Sequence, residues 1–271
     1  MSIEACAEIV RAGDPDRYLS AMTAPDVARD RLLVLYAFNL EIARVPWITN
    51  EEMIAEMRLQ WWLDTIERIY EGKGSEHEVA SQLAKVIEVG NLPQTLFEEM
   101  VNARRFDIYR EGHSGLSEFN AYINATSGNL MRLAAMSLDA DDVACVTDFG
   151  FAAGVANLWR ALPQLYAKGR HPVPVGGALD RNAVAGGEVP DNLAEALLEI
   201  TVNARQKLAS SRRSRGQIPK AAAPAVLAGW QAGVPLAMVQ GQPYETLRQP
   251  LESSEFKRRF SLLWRNSTGW W

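Results

Sequence analysis

Three observations predict an all-α fold for this 271-residue sequence. Apolar residues recur at three-to-four spacing along nearly the whole chain, as at Leu32, Leu33, Leu35, Tyr36, Phe38 and Ile42. Helix-starting Asp, Asn and Pro and helix-stopping Gly divide that pattern into segments of ordinary helix length. No segment alternates apolar and polar residues as a half-buried strand does, and none repeats in tandem. One helical domain spanning residues 1–271 is the simplest architecture.

The elements follow in order. Ser2 to Ala12 form a short first helix. Asp14 caps a second, with Pro15 in its first turn, where a missing N–H costs nothing. Pro25-Asp26 opens a longer third helix, ended or kinked at Pro46. Asn50 caps the next, which carries Met53, Met57, Trp61 and Ile66 near one stripe and stops at Gly72 and Gly74. Val79 to Val89 is helical, and Pro93 starts a helix running to about Glu111. Leu116 to Leu138 reads as one helix with Gly128 midway, and Asp141-Asp142 stand at the start of the next, where their charge matches the helix dipole. Pro172 to Asn192 is the one long irregular stretch, a loop or flap with four glycines. Asp191 caps a helix from about Leu193 to Ser211, and after a basic turn, SRRSRGQIPK, helices occupy roughly 221–240 and 252–265.

Composition excludes several classes of function. An apolar content of 48% with 23% charged residues is that of an ordinary globular protein. A net charge of -5 argues against a general nucleic-acid binder. Cys6 and Cys145 lie far apart in apolar helical contexts and read as buried free thiols in a reducing compartment. His77, His113 and His171 are scattered singly, without metal-ligand spacing. The N-terminus lacks a signal-peptide pattern, and the most apolar run, Ala221 to Val239, is too rich in Ala, Gly and Pro to read as a span. The expected location is cytoplasmic.

Residues able to carry chemistry are few. No glycine–serine elbow marks a nucleophile, and Gly176-Gly177 follows no strand, so no phosphate loop is indicated. Carboxylates at i and i+4 share a helix face and, facing a second pair, hold Mg²⁺ against a diphosphate. The pairs with that spacing, Glu52/Glu56 and Asp107/Glu111, are flanked by further charges and read as solvated faces. Trp61 and Trp62 point about 100° apart on a helix, and core is the default for each. The segment FKRRFSLLWRNSTGWW is a basic, aromatic-rich amphipathic helix, suited equally to docking on the fold or to a membrane interface. The stretch FGFAAGVANLWRALPQLYAKGRHPVP, residues 149–174, is the most informative. Its small residues permit close approach, Asn157 and Arg160 share a face, and a basic run closes it, yet it contains no carboxylate.

These residues carry a resemblance. LYAFN at 35–39, RLQWWLDTI at 58–66, YINATSGNLMRLA at 122–134 and the 149–174 stretch resemble the squalene/phytoene synthase family over nearly the whole chain. The resemblance implies a helical bundle of the isoprenoid-synthase type with a central cavity. In that family two aspartate-rich helices face across the cavity, bind Mg²⁺ and prenyl diphosphates, and ionise the substrate. Tyr36, Asn157 and Arg160 match the family pattern. The first motif's aspartates would fall at 43, 44 and 47, where this chain has Ala43, Arg44 and Trp47, and the second pair at 161 and 165, where it has Ala161 and Leu165. The motif arginine is replaced by Leu40, and a glutamine expected three residues before Asn157 is Gly154.

FNLEIARV, MRLQWW and LWRALPQ further resemble the catalytically silent branch that includes the mitochondrial respiratory complex I assembly factor. That likeness implies a non-catalytic protein with complex I subunits or a membrane surface as partners, peripheral on the inner membrane. The alternatives it leaves are an active prenyl-transferase with rearranged ligands and an isoprenoid or lipid binder using the inherited cavity. The expected cavity or substrate-binding residues are Tyr36, Asn39, Arg44, Trp61, Asn157, Arg160 and Arg170, with no catalytic and no metal-binding residue. No cofactor is expected, Mg²⁺ entering only on the prenyl-transferase alternative.

Overall fold

A computed structural model describes residues 3–49, 51–109, 112–142, 144–251 and 253–269. Helices α1 (Ile3–Gly13) and α2 (Pro15–Ala21) meet at Asp14, whose carboxylate accepts the Arg17 backbone N–H at 2.9 Å and its guanidinium at 2.8 Å. Helix α3 (Asp26–Ala43) is buried on every side from Leu32 to Asn39, because α1, α6 and α10 close around it. The chain turns at Arg44 and re-enters a short helix, α4 (Val45–Ile48), with Pro46 in its first turn. Helix α5 (Glu52–Tyr70) follows, while Asn50 and its expected capping role lie outside the described residues. Helix α6 (Glu78–Gly90) ends on Asn91 in the left-handed conformation, φ 44°.

Two expected helices are interrupted. The helix starting at Pro93 is α7 (Gln94–Ala103), broken by a turn at Arg104-Arg105 before α8 (Phe106–Tyr109). The turn brings the Arg104 guanidinium to the Tyr122 hydroxyl and the Asp107 carboxylate. The helix expected over 116–138 is α9 (Leu116–Ile123), a π-helical turn Asn124–Gly128, and α10 (Asn129–Met136). The Thr126 hydroxyl donates to the Tyr122 carbonyl at 2.8 Å within the widened turn. Single π turns mark places where a helix is reshaped around a contact. Here that contact is α11 (Ala144–Ala167).

Helix α11 is the centre of the molecule and packs against α10, the π turn and two later helices. Gly150 and Gly154 form its seam with the π turn. A Cβ on Gly154 would lie 2.6 Å from Ser127 Cβ and 3.0 Å from Ile123 Cγ2, and one on Gly150 would lie 2.9 Å from the Ser127 carbonyl oxygen. The 172–192 stretch is not wholly irregular: it contains α12 (Arg181–Ala185), capped by the Asp180 carboxylate on two backbone N–H groups at 3.0 Å. Asp191 is the first residue of α13 (Asp191–Arg213) and not its cap, since Pro190 holds that position. The Trp159 indole N–H donates to the Thr201 hydroxyl at 2.8 Å, tying α11 to α13 through two fully buried side chains. The expected 221–240 helix is divided into α14 (Ala223–Leu227) and α15 (Gly233–Gly241) by turns at 228–232, and α16 (Glu255–Thr268) completes the bundle. Both cysteines are buried and free. No strand occurs among the described residues, and no helix among them is long and apolar enough to cross a membrane.

Candidate functional site

The end of α3, α4 and the second half of α11 converge on a cavity of ≈ 220 Å³. Ala43 and Trp47 line it from one side and Leu158 and Leu165 from the other, with Arg170, His171, Arg104, Asp107 and Tyr122 completing the wall. Three of the positions at which the family resemblance expects aspartates therefore do meet in space. What meets there is a methyl group, an indole and an isobutyl group. The Trp47 ring lies under two cations, with Arg170 Cζ 4.3 Å and Lys168 Nζ 4.8 Å from its centroid. The Arg170 guanidinium is buried and donates to the backbone carbonyls of Asp107 and, at 3.1 Å, Pro46. The basic exit of α11 thus folds back as a clamp on α4 and α8.

Asp107 is the carboxylate of this wall, and its side chain is three-quarters covered. The Tyr122 hydroxyl lies 2.9 Å from both of its oxygens, and the Arg104 guanidinium donates to it at 3.2 Å and to the Tyr122 oxygen at 2.9 Å. The expectation of a solvated Asp107/Glu111 face is corrected for Asp107, because the turn at Arg104-Arg105 swings it inward; Arg110 and Glu111 lie outside the described residues. Glu56 is likewise engaged, accepting from Arg105 and, at 2.9 Å, from the Tyr109 hydroxyl. His113 stacks on Phe106 at 3.7 Å, and burial holds its imidazole down to about 4, against the opposing charges of Glu118 and Asp107.

A second compartment of ≈ 210 Å³ adjoins the first across Arg104, Tyr122 and Leu158. Asn39 and Asn157 line it with Arg17, Thr126, Ser127 and Gly154. Together the two form the central cavity the sequence leads one to expect, though each is smaller than the ~300–1,000 Å³ of typical small-molecule sites. The constriction has a local cause: with no side chain on Gly154, Ser127 and the π turn advance to the α11 backbone. Tyr36 is 1% exposed beneath the Arg17 guanidinium, which lies 5.7 Å from its ring centroid, and burial raises its hydroxyl pKa.

The remaining expected residues do not join this cavity. Arg160 borders a small recess against the 228–235 segment, which Asn157 reaches from its other side, and the Arg160 guanidinium donates to Asp16 at 3.0 Å. Arg44 is half-exposed and pairs with Glu41, one turn back on α3. Trp61 lines a separate, open groove of ≈ 480 Å³ with Val45, Ile48, Ile54, Met57 and His77. The two tryptophans divide as adjacent helical residues must: Trp62 is 3% exposed and meets Phe38 edge-on at 5.2 Å, whereas Trp61 is 43% exposed. Core is therefore corrected to groove wall for Trp61. Sequence reading missed Arg17, Arg104 and Tyr122 as cavity residues. Tyr122 alone stood in a segment already singled out, YINATSGNLMRLA.

The donor set does not fit Mg²⁺. That ion requires several oxygen ligands in near-octahedral array, and the cavity's carboxylate is already engaged by a hydroxyl and a guanidinium. Among the described residues no three His, Cys, Asp or Glu side chains cluster in a way that could hold a metal.

The backbone arrangement is that of the isoprenoid synthases. It superposes on squalene synthase HpnC from Alicyclobacillus acidocaldarius with a TM-score of 0.77 at 18% identity, covering 89% of this chain and 94% of that one. A dehydrosqualene synthase gives 0.77 at 15% identity, covering 98% and 95%. The squalene/phytoene synthase family model matches residues 10–257, and the chain belongs to that family. Within it, the chain is similar to NADH dehydrogenase (ubiquinone) complex I assembly factor 6. The human protein is 29% identical over 161 residues, 58% of this chain and 48% of that one. The bovine protein is 25% identical over 233 residues, 82% and 69%. Phytoene synthase of Rhodobacter capsulatus is 26% identical over 179 residues, 64% and 52%. The matched stretch thus spans about half the human assembly factor and of the phytoene synthase, and about two-thirds of the bovine factor.

Proposed function

We propose that this chain is a non-catalytic member of the squalene/phytoene synthase family that acts in the assembly of respiratory complex I, with complex I subunits as partners and a peripheral place on the inner membrane. One observation carries the non-catalytic part: where the family resemblance puts metal-ligating aspartates, the cavity wall holds Ala43, Trp47 and Leu165, with Arg170 and Lys168 over the indole. Ionising a prenyl diphosphate requires positive charge delivered to the leaving oxygens, ordinarily by Mg²⁺ in a carboxylate cage. This wall offers cations already engaged with an indole and with backbone carbonyls, and no such cage. Similarity to assembly factor 6 in several animals supports the assembly role.

The test has two arms. Purified protein with Mg²⁺ and farnesyl or geranylgeranyl diphosphate should release no diphosphate. A bound analogue at a hundredfold excess over its dissociation constant would add about 2.7 kcal/mol to the folded state and raise the melting temperature, whereas the proposal expects no shift. Deleting the gene in its host should deplete assembled complex I on a native gel. Metal-dependent diphosphate release, or intact complex I in the deletion strain, would overturn the proposal.

A further inference from the structure

Helix α16 is attached to the fold by one narrow edge. Of its fourteen residues only Leu262 is buried, and it packs toward α14. Beside it Arg258 forms an ion pair with Asp16 of α2 at 2.9 Å. Side chains on a helix advance by 100° per residue, so the face opposite Arg258 and Leu262 carries Phe256, Phe260, Leu263 and Trp264. All four are exposed, at 78%, 62%, 63% and 50%. Phe256 and Phe260 stack on each other at 6.3 Å. Lys257 and Arg259 flank this stripe, one on each side.

Burial within this chain does not account for four large apolar side chains in a row on the solvent side of a docked helix. Charge indicates what covers them. The whole chain carries -5, yet residues 212–271 hold nine Lys and Arg against three Glu. The base of α16 adjoins the basic end of α13: burial, and then the nearby Arg265 guanidinium, pull the Arg212 guanidinium down to about 10. The other exposed apolar concentration, on α4 and α5, has the opposite local balance, with three Glu against one Arg over residues 45–61. We propose that α16 is an interfacial anchor: it lies flat on an anionic phospholipid surface, with Phe256, Phe260, Leu263 and Trp264 sunk to the acyl boundary and Lys257 and Arg259 at headgroup phosphates. At roughly 21 Å of helix length, and with four Lys and Arg in fourteen residues, it rests on a bilayer and does not cross one. The inference deepens the peripheral placement proposed above and rests on it. It adds that the anchor is tied to the old catalytic helix through one carboxylate, since Asp16 holds both Arg258 of α16 and Arg160 of α11.

The experiment is co-sedimentation of the full chain with phosphatidylcholine vesicles, with and without phosphatidylglycerol. Binding is expected only to the anionic vesicles and should weaken as salt rises. Phe260→Glu with Leu263→Glu should lower the partition coefficient on the order of a hundredfold, the effect of withdrawing two large apolar side chains from the interface. Lys257→Glu with Arg259→Glu should remove the preference for anionic lipid. All four side chains are exposed, and the one partner lost, the surface pair of Arg259 with Glu255, contributes little, so both variants keep the wild-type melting temperature. A wild-type chain that stays in solution with anionic vesicles, or an apolar-face variant that sediments like wild type, overturns the anchor. Neither result touches the diphosphate-release and complex I arms of the proposed function, so the two readings fail separately.

Discussion

Replacing Gly154 with alanine tests how the cavity came to be constricted. In an ordinary helix interior, Gly→Ala stabilises by about 0.5–1 kcal/mol, because glycine loses more backbone entropy on folding. Here the added Cβ would sit 2.6 Å from both Ser127 Cβ and Oγ and 3.0 Å from Ile123 Cγ2. Carbon contacts relax to about 3.5–4.0 Å, so the π turn must retreat by about 1 Å. One clashing atom is a Cβ, which rotation about χ1 does not move, so the backbone has to shift. Overpacking of this kind costs about 1–3 kcal/mol, and subtracting the propensity gain leaves Gly154→Ala destabilised by about 1–2 kcal/mol. The assay is urea unfolding followed by circular dichroism, with an unchanged denaturant slope. Combining it with Ser127→Gly removes the clashing atoms, and the double-mutant cycle should show a favourable coupling of about 1 kcal/mol. Gly154→Ala as stable as wild type, or more so, would refute the close approach and with it this account of the constriction.

Thr201→Val keeps the side-chain shape but leaves the fully buried Trp159 indole N–H without its acceptor, and should cost about 1–3 kcal/mol in the same unfolding assay. Asp16→Asn removes the carboxylate shared by Arg160 and Arg258, whose side chains are 21% exposed. The expected loss is about 2–3 kcal/mol, below the 3–5 of a fully buried pair because water still reaches the site, read as a lower urea midpoint. His113 is held neutral in the folded state to about pH 4, whereas its ordinary value is 6.5. The unfolded chain therefore binds the extra proton first, and this stabilisation is complete above 6.5 and falls away between 6.5 and 4, by at most about 1.4 kcal/mol per pH unit. Urea midpoints of wild type and His113→Gln should converge as pH drops through that window. Trp47→Asp restores one acid but places it against Lys168 and Arg170, so Mn²⁺ added to this variant should remain free in an electron paramagnetic resonance titration.

The fold was legible because its signals are local. The Asp14 cap, the buried run of α3 and the helical period of α5 depend on neighbours within a few residues. The interruptions were not, because their causes are distant in sequence. The π turn at Asn124–Gly128 answers to the backbone of Gly150 and Gly154, and the break after Ala103 answers to Tyr122. In the site, the pairing of positions 43 and 47 with 165 followed from family resemblance, and Ala43, Trp47 and Leu165 line one cavity. What fills the space between them had no signal. Arg170 is among the expected cavity residues and does line the wall, but no local pattern brings near the carbonyls of α4 and α8 that bury it. Trp61 and Trp62 showed only that they diverge; which one faced the core depended on Phe38.

The cavity wall differs from the one the family resemblance implies in the sign of its charge as well as in its lack of ligands. Aspartates at 43, 47 and 165 would have made this wall attractive to a divalent cation. With Ala43, Trp47 and Leu165 in their place, the nearest fixed charges are those of Arg170, Lys168 and Arg104, and Asp107 is partnered by Arg104. Two unit charges 4 Å apart interact by about 4 kcal/mol at an effective dielectric of 20, so a magnesium ion at this wall would be repelled by cations offset in the lining only by Asp107. The Trp47 indole resolves that excess by giving Arg170 and Lys168 a π face. These cations hold α4 against the end of α11. Large apolar side chains without a covering lie outside the cavity, in the Trp61 groove and along α16.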